Sequence, residues 1–90
     1  MKIDNKASLK IVIKKQWFDE IASGKKKIEY REVKPFWQSR LYDANGKKRK
    51  YDNIEFINGY NVDAKRMFTK YEGFDKKGMK FNIKIGKIIK

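Results

Sequence analysis

Residues 79–85 constrain this chain most. Met79, Phe81, Ile83 and Ile85 alternate with Lys80, Asn82 and Lys84. A period of two puts every second side chain on one face of an extended strand. One face is therefore apolar and the other wet, so the segment needs a sheet with a single core side. Four other stretches carry weaker forms of the pattern. Residues 8–14 align Leu9, Ile11 and Ile13. Residues 26–33 set Ile28 and Tyr30 against Lys27, Glu29, Arg31 and Val33. Residues 52–58 read as a third strand, and residues 64–72 set Met67, Thr69 and Tyr71 against Phe68, Lys70 and Glu72.

Two helical stretches interrupt the strands. In 16–23, Trp17 and Ile21 are spaced i, i+4 and Phe18 and Ile21 i, i+3, with Gly24 at the position of a C-terminal cap. In 35–41, Pro35 suits a first helical position, Trp37 and Leu41 share a face, and Phe36 and Arg40 share its neighbour. Residues 43–50 are a polar loop around the tight-turn pair Asn45-Gly46. Asn58-Gly59 ends the third strand. Gly73 and the turn Lys76-Lys77-Gly78 lead to the last one. The expectation is one α+β domain over residues 1–90, with 1–7 a flexible lead. Its five or six short strands curl into a small barrel that hides their edges, flanked by two short helices.

Composition removes whole classes of function. The 90 residues contain no Cys and no His. That excludes disulfide scaffolds, thiolate zinc sites and the commonest general base. The acids show no ligand-like spacing, so no metal and no cofactor are expected. No apolar run reaches membrane-span length and no leader pattern opens the chain, so a cytoplasmic protein is expected.

The formal charge is +13, from 24 Lys plus Arg against 11 Asp plus Glu. A polyanionic partner would follow, nucleic acid above all. Codon bias toward Lys, Ile and Asn accounts for the same numbers. The excess is spread, at +4 over 1–33, +5 over 34–50 and +4 over 51–90.

Three clusters have side chains suited to recognition. The stretch from Ser23 to Arg31 delivers lysines from a glycine turn and places Glu29 and Arg31 on one strand face. They can line a pocket, or form a surface ladder of little energetic worth. Trp37 beside Arg40 can stack a base and hold its phosphate, or plug the end of the core. Asn58-Gly59-Tyr60 can present an amide to a base edge, or be an ordinary turn. The catalytic inventory is thin: Ser8, Ser23, Ser39 and Thr69 are the aliphatic hydroxyls, and Lys26 beside Glu29 is the one base-like pairing.

These segments, in this order, resemble the ASCH domain family of the PUA-like superfold. The resemblance runs over about residues 8–90. It rests on LKIVIKKQWFDEIASGKKKIEYR, KPFWQSRL, IEFINGY and the closing FNIKIGKII. It implies a β-barrel with a cleft that binds RNA, another nucleic acid, or a nucleotide or nucleoside. Matched residue by residue, the cleft would be lined by Lys26, Glu29, Arg31, Trp37, Arg40, Asn58 and Tyr60. One branch of the family acts as amidohydrolases on acylated cytidine through a Lys, a Thr and a Glu. Its Lys falls on Lys26, and its Thr nucleophile is replaced by Glu29. The expectation is therefore a binding module more than a catalyst. The alternative is an amidohydrolase- or ribonuclease-like enzyme working through Lys26 and Glu29.

Overall fold

A computed structural model describes residues 8–89. The expected lead at residues 1–7 lies outside the described residues. The elements are β1 (Ser8–Ile13), α1 (Lys15–Ala22), β2 (Ile28–Glu32), α2 (Pro35–Leu41), β3 (Asn53–Asn58), β4 (Arg66–Lys77) and β5 (Lys80–Ile88). The domain is α+β, one curled five-stranded sheet with two helices.

The strand order is β1-β3-β4-β5-β2. β1 runs parallel to β3, and the other pairs are antiparallel. A parallel pair needs a crossover connection. Here the crossover contains α1, β2 and α2, and it carries β2 to the far edge beside β5. The two edge strands then approach each other as the sheet curls: the Arg31 side chain on β2 donates to the Val12 carbonyl on β1 at 3.2 Å.

The inner face follows the alternation. Leu9, Ile11 and Ile13 of β1 lie in register with Ile54, Phe56 and Asn58 of β3. Ile54 and Phe56 face Thr69 and Met67 of β4. On β5, Phe81, Ile83 and Ile85 are buried, and Phe18, Ile21 and Leu41 bring the helices onto the same core. Fully burying one such side chain contributes about 1.5–3 kcal/mol.

Three expectations need correction. Met79 is 74% exposed, in the turn before β5 rather than in its apolar face. Gly73 does not end β4. The strand continues to Lys77, with register shifts around Tyr71 that move the inward parity from Met67, Thr69 and Tyr71 to Phe74. Gly73 supplies the φ of +90° that this irregularity needs. Trp17 does not share the buried face of α1: Phe18 and Ile21 do, and Trp17 is 37% exposed.

Close approach of β4 and β5 also explains Gly86. A Cβ there would meet the Glu72 carboxylate at 2.6 Å and the Lys70 Cβ at 2.9 Å. Tyr71 packs edge-on to Tyr51 at 5.3 Å, and its hydroxyl is buried without a hydrogen-bond partner among the described residues. Burial, reinforced by Tyr51, pushes its pKa up to about 12. Among the described residues no helix is long and apolar enough to cross a membrane.

Candidate functional site

The turn after α1 sets the site up. Lys25 N–H donates to the Glu20 carbonyl at 2.9 Å and Gly24 N–H to that of Ile21 at 3.1 Å. These two bonds form a Schellman cap, and the Gly24 φ of +84° is the left-handed conformation it requires. The chain turns sharply there and enters β2 with Lys26 beside the sheet.

On β2 the inward positions are charged. Glu29 lies opposite Ile83 and Arg31 opposite Phe81, so both occupy places that β5 fills with core residues. The Glu29 residue is 6% exposed. Its carboxylate is held by Arg31 at 2.6 Å and Lys26 at 3.5 Å. An isolated buried carboxylate would cost several kcal/mol, and two cations on its two oxygens offset that. Glu29 and Arg31 are therefore not a surface ladder.

The cations are themselves framed by rings. The Lys26 ammonium lies 5.2 Å from the Trp17 centroid and 5.3 Å from that of Tyr30. The Arg31 guanidinium lies 5.1 Å from the centroid of Trp37. Its Nε is buried and has no partner among the described residues.

A cleft of about 560 Å³ opens between the two edge strands. Val12, Ile13, Lys14 and Lys15 form one wall, with Trp17 above. Glu29, Tyr30 and Arg31 form the other, and Asn58, Gly59 and Tyr60 close the end. Gly59 N–H donates to the Ile13 carbonyl at 3.1 Å, which fixes the end of β3 to the end of β1. Tyr60 is 92% exposed and stands at the rim.

The structure thus brings four of the seven predicted residues into one lining: Glu29, Arg31, Asn58 and Tyr60. Lys26 lines an adjoining recess with Trp17, Glu29 and Tyr30. Trp37 does not face the cleft. It packs on the core and supports Arg31 from behind. Arg40 lies outside as well, its guanidinium 4.6 Å from the Phe36 centroid on the exposed side of α2.

The residues missed from sequence are Trp17, Tyr30, Lys14 and Lys15. Trp17 and Tyr30 looked like members of apolar faces. Spacing carries no signal for the cluster, because Trp17 reaches Lys26 only through the turn at Gly24.

The lining contains no Ser or Thr hydroxyl. Ser23 and Ser39 donate to backbone carbonyls of their own helices, Ser8 bonds Asn53, and Thr69 is fully buried. No group of three or more metal-ligating side chains occurs among the described residues. What the arrangement offers is hydrogen bonding, stacking and positive charge. Comparison with protein-family models, curated proteins and solved structures finds no match to this chain.

Proposed function

We propose that this protein binds RNA by holding one nucleotide in the cleft between β1 and β2, as an ASCH-type module. One observation carries the reading. Glu29 and Arg31 stand at core-facing positions of an edge strand, in register with Ile83 and Phe81, where apolar residues would serve stability as well or better. They open onto a cleft bounded by the aromatic rings of Trp17, Tyr30 and Tyr60.

Each side chain then has a part. Trp17 stacks the base, a contact worth roughly 1–3 kcal/mol, with Tyr60 at the rim. Asn58 offers a donor and an acceptor to the base edge, and Glu29 retains lone pairs for a base N–H. Lys14 and Lys15 meet phosphate oxygens, while Arg31, engaged through Nη2 with Glu29 and the Val12 carbonyl, adds positive charge to the cleft wall. The resemblance of the KKKIEYR and INGY segments to the ASCH family supports the same reading. Catalysis through Lys26 and Glu29 finds less support. Both are held in one ion-pair cluster, and no aliphatic hydroxyl in the lining offers a nucleophile.

The experiment is a titration with short single-stranded RNA over a salt series, followed by tryptophan fluorescence. Binding that weakens as salt rises is expected, and Trp17→Ala should reduce affinity about 10- to 100-fold, the equivalent of one stacked base. Absence of binding at low salt, or binding indifferent to salt, would overturn the proposal. So would a Trp17→Ala variant of unchanged affinity.

A further inference from the structure

The cleft is not the only basic surface. Residues 42–48 form a small closed hairpin. Tyr42 bridges Lys48, Asp43 N–H donates to the Lys47 carbonyl at 2.8 Å, and Gly46 turns the chain with a φ of +79°. The Asp43 carboxylate accepts from the N–H groups of Asn45 and Lys47, both at 2.9 Å, so it is spent on the turn. Arg49 Nε donates to the Ser39 and Tyr42 carbonyls, which ties the loop to the C-terminal end of α2. Lys48 donates to the Phe74 carbonyl at 3.0 Å.

The loop is thus held in place with four cations, Lys47, Lys48, Arg49 and Lys50, against the single carboxylate of Asp43. Ion pairs elsewhere engage Lys15, Lys26, Arg31, Lys34, Arg66 and Lys84. Among the described residues, Arg40, Lys47, Lys48, Arg49 and Lys50 have no carboxylate within ion-pair distance. Lys47, Lys48, Arg49 and Lys50 line an open groove of about 440 Å³ with Asp43 and Tyr51.

A row of contacts joins this groove to the cleft. Arg31 sits on Trp37, and Trp37 meets the exposed ring of Phe36 edge-on at 5.2 Å. Arg40 lies on that same Phe36 ring, and the Tyr51 hydroxyl donates to the Arg40 carbonyl. The rings of Trp37 and Phe36 thus lie between Arg31 and Arg40 on the way from the cleft, across α2, to the loop. Aromatic platforms interleaved with positive charge are what a single strand needs from a track that ignores sequence.

We propose that an RNA strand anchored in the cleft continues over Phe36 and Arg40 of α2 into the groove, where Lys47 and Lys50 contact its phosphates. This rests on the cleft reading above and adds the second half of the footprint. One OB-fold, a comparable barrel, covers about 4–16 nucleotides of single strand, so a longer oligomer should reach both surfaces and a trimer only one.

The test compares uridine oligomers of three and twelve nucleotides. The wild-type protein should bind the 12-mer at least tenfold tighter than the trimer at low salt. Lys47→Glu with Lys50→Glu should remove most of that gain. It should also flatten the log–log salt dependence of 12-mer binding by about 1.4 or more, for two lost single-strand phosphate contacts. Trimer affinity should not change. Both lysines are exposed, so the fold is expected to survive, and Lys70→Glu with Lys87→Glu serves as a charge-matched control on β4 and β5. A 12-mer affected no more by the loop variant than by the control would overturn this inference and leave the cleft reading standing. Failure of the wild type to bind either oligomer would overturn both.

Discussion

β2 and β5 are neighbours with opposite content on the same face. β5 presents Phe81 and Ile83, wholly buried; across the ladder β2 presents Arg31 and Glu29. Both strands meet the same core from the same side, so geometry does not explain the difference. What differs is position. β5 is interior to the sheet, and β2 is an edge that meets β1 across the cleft. Interior positions answer to packing, while the edge can hold a polar cluster that stays partly open. On the proposed reading the two strands divide the work: β5 holds the domain together, and β2 equips it to bind.

That division can be broken experimentally. The largest effect is expected from Phe81→Ala. Truncating a fully buried Phe costs about 3–5 kcal/mol, a large part of the stability of a 90-residue domain. Denaturant unfolding should show a population already unfolded near room temperature. Arg31→Met, directly across the ladder, should cost less, about 1–3 kcal/mol. It leaves Glu29 with Lys26 alone, short of a fully unpaired buried charge. If Arg31→Met matched Phe81→Ala, the edge would be as structural as the interior and the contrast would fail.

The alternation in 8–14 and 79–85 was enough to read β1 and β5, because a one-sided core leaves a period-two record. β4 was readable only to Glu72. The bulge at Gly73 changes parity, and a parity change looks like a strand end when no partner strand is in view. The site was half readable. Glu29, Arg31, Asn58 and Tyr60 lie on or just after strands, where spacing assigns a face. Lys26, Trp17 and Tyr30 come together through the α1–β2 turn, which spacing does not describe. Their closeness in sequence makes Trp37 and Arg40 read as one stacking unit. On α2 they diverge, one beneath Arg31 and the other on Phe36.

A smaller effect tests the other side of the core. Tyr71→Phe removes a buried hydroxyl that has no hydrogen-bond partner among the described residues. Stability near neutral pH should be unchanged or slightly higher. Burial pushes the folded hydroxyl's pKa up to about 12, against about 10 when unfolded. Below pH 10 the group is neutral in both states and its ionisation costs no stability; as pH rises from about 10 to 12 the unfolded state ionises first and stability falls. Denaturation midpoints between pH 9 and 11 should therefore fall less steeply in Tyr71→Phe than in the wild type. Equal slopes would show that Tyr71 titrates normally.

The charged pair on β2 is proposed to serve recognition and not stability. The direct measurement is the double variant Glu29→Leu with Arg31→Met, followed by denaturant unfolding and RNA titration in parallel. Replacing both members of a buried ion pair with apolar residues is often neutral or stabilising. Unfolding free energy within about 1 kcal/mol of the wild type or above it, with RNA binding abolished, is the result expected. A double variant less stable than Arg31→Met alone, yet still binding RNA with wild-type affinity and salt dependence, would contradict the account.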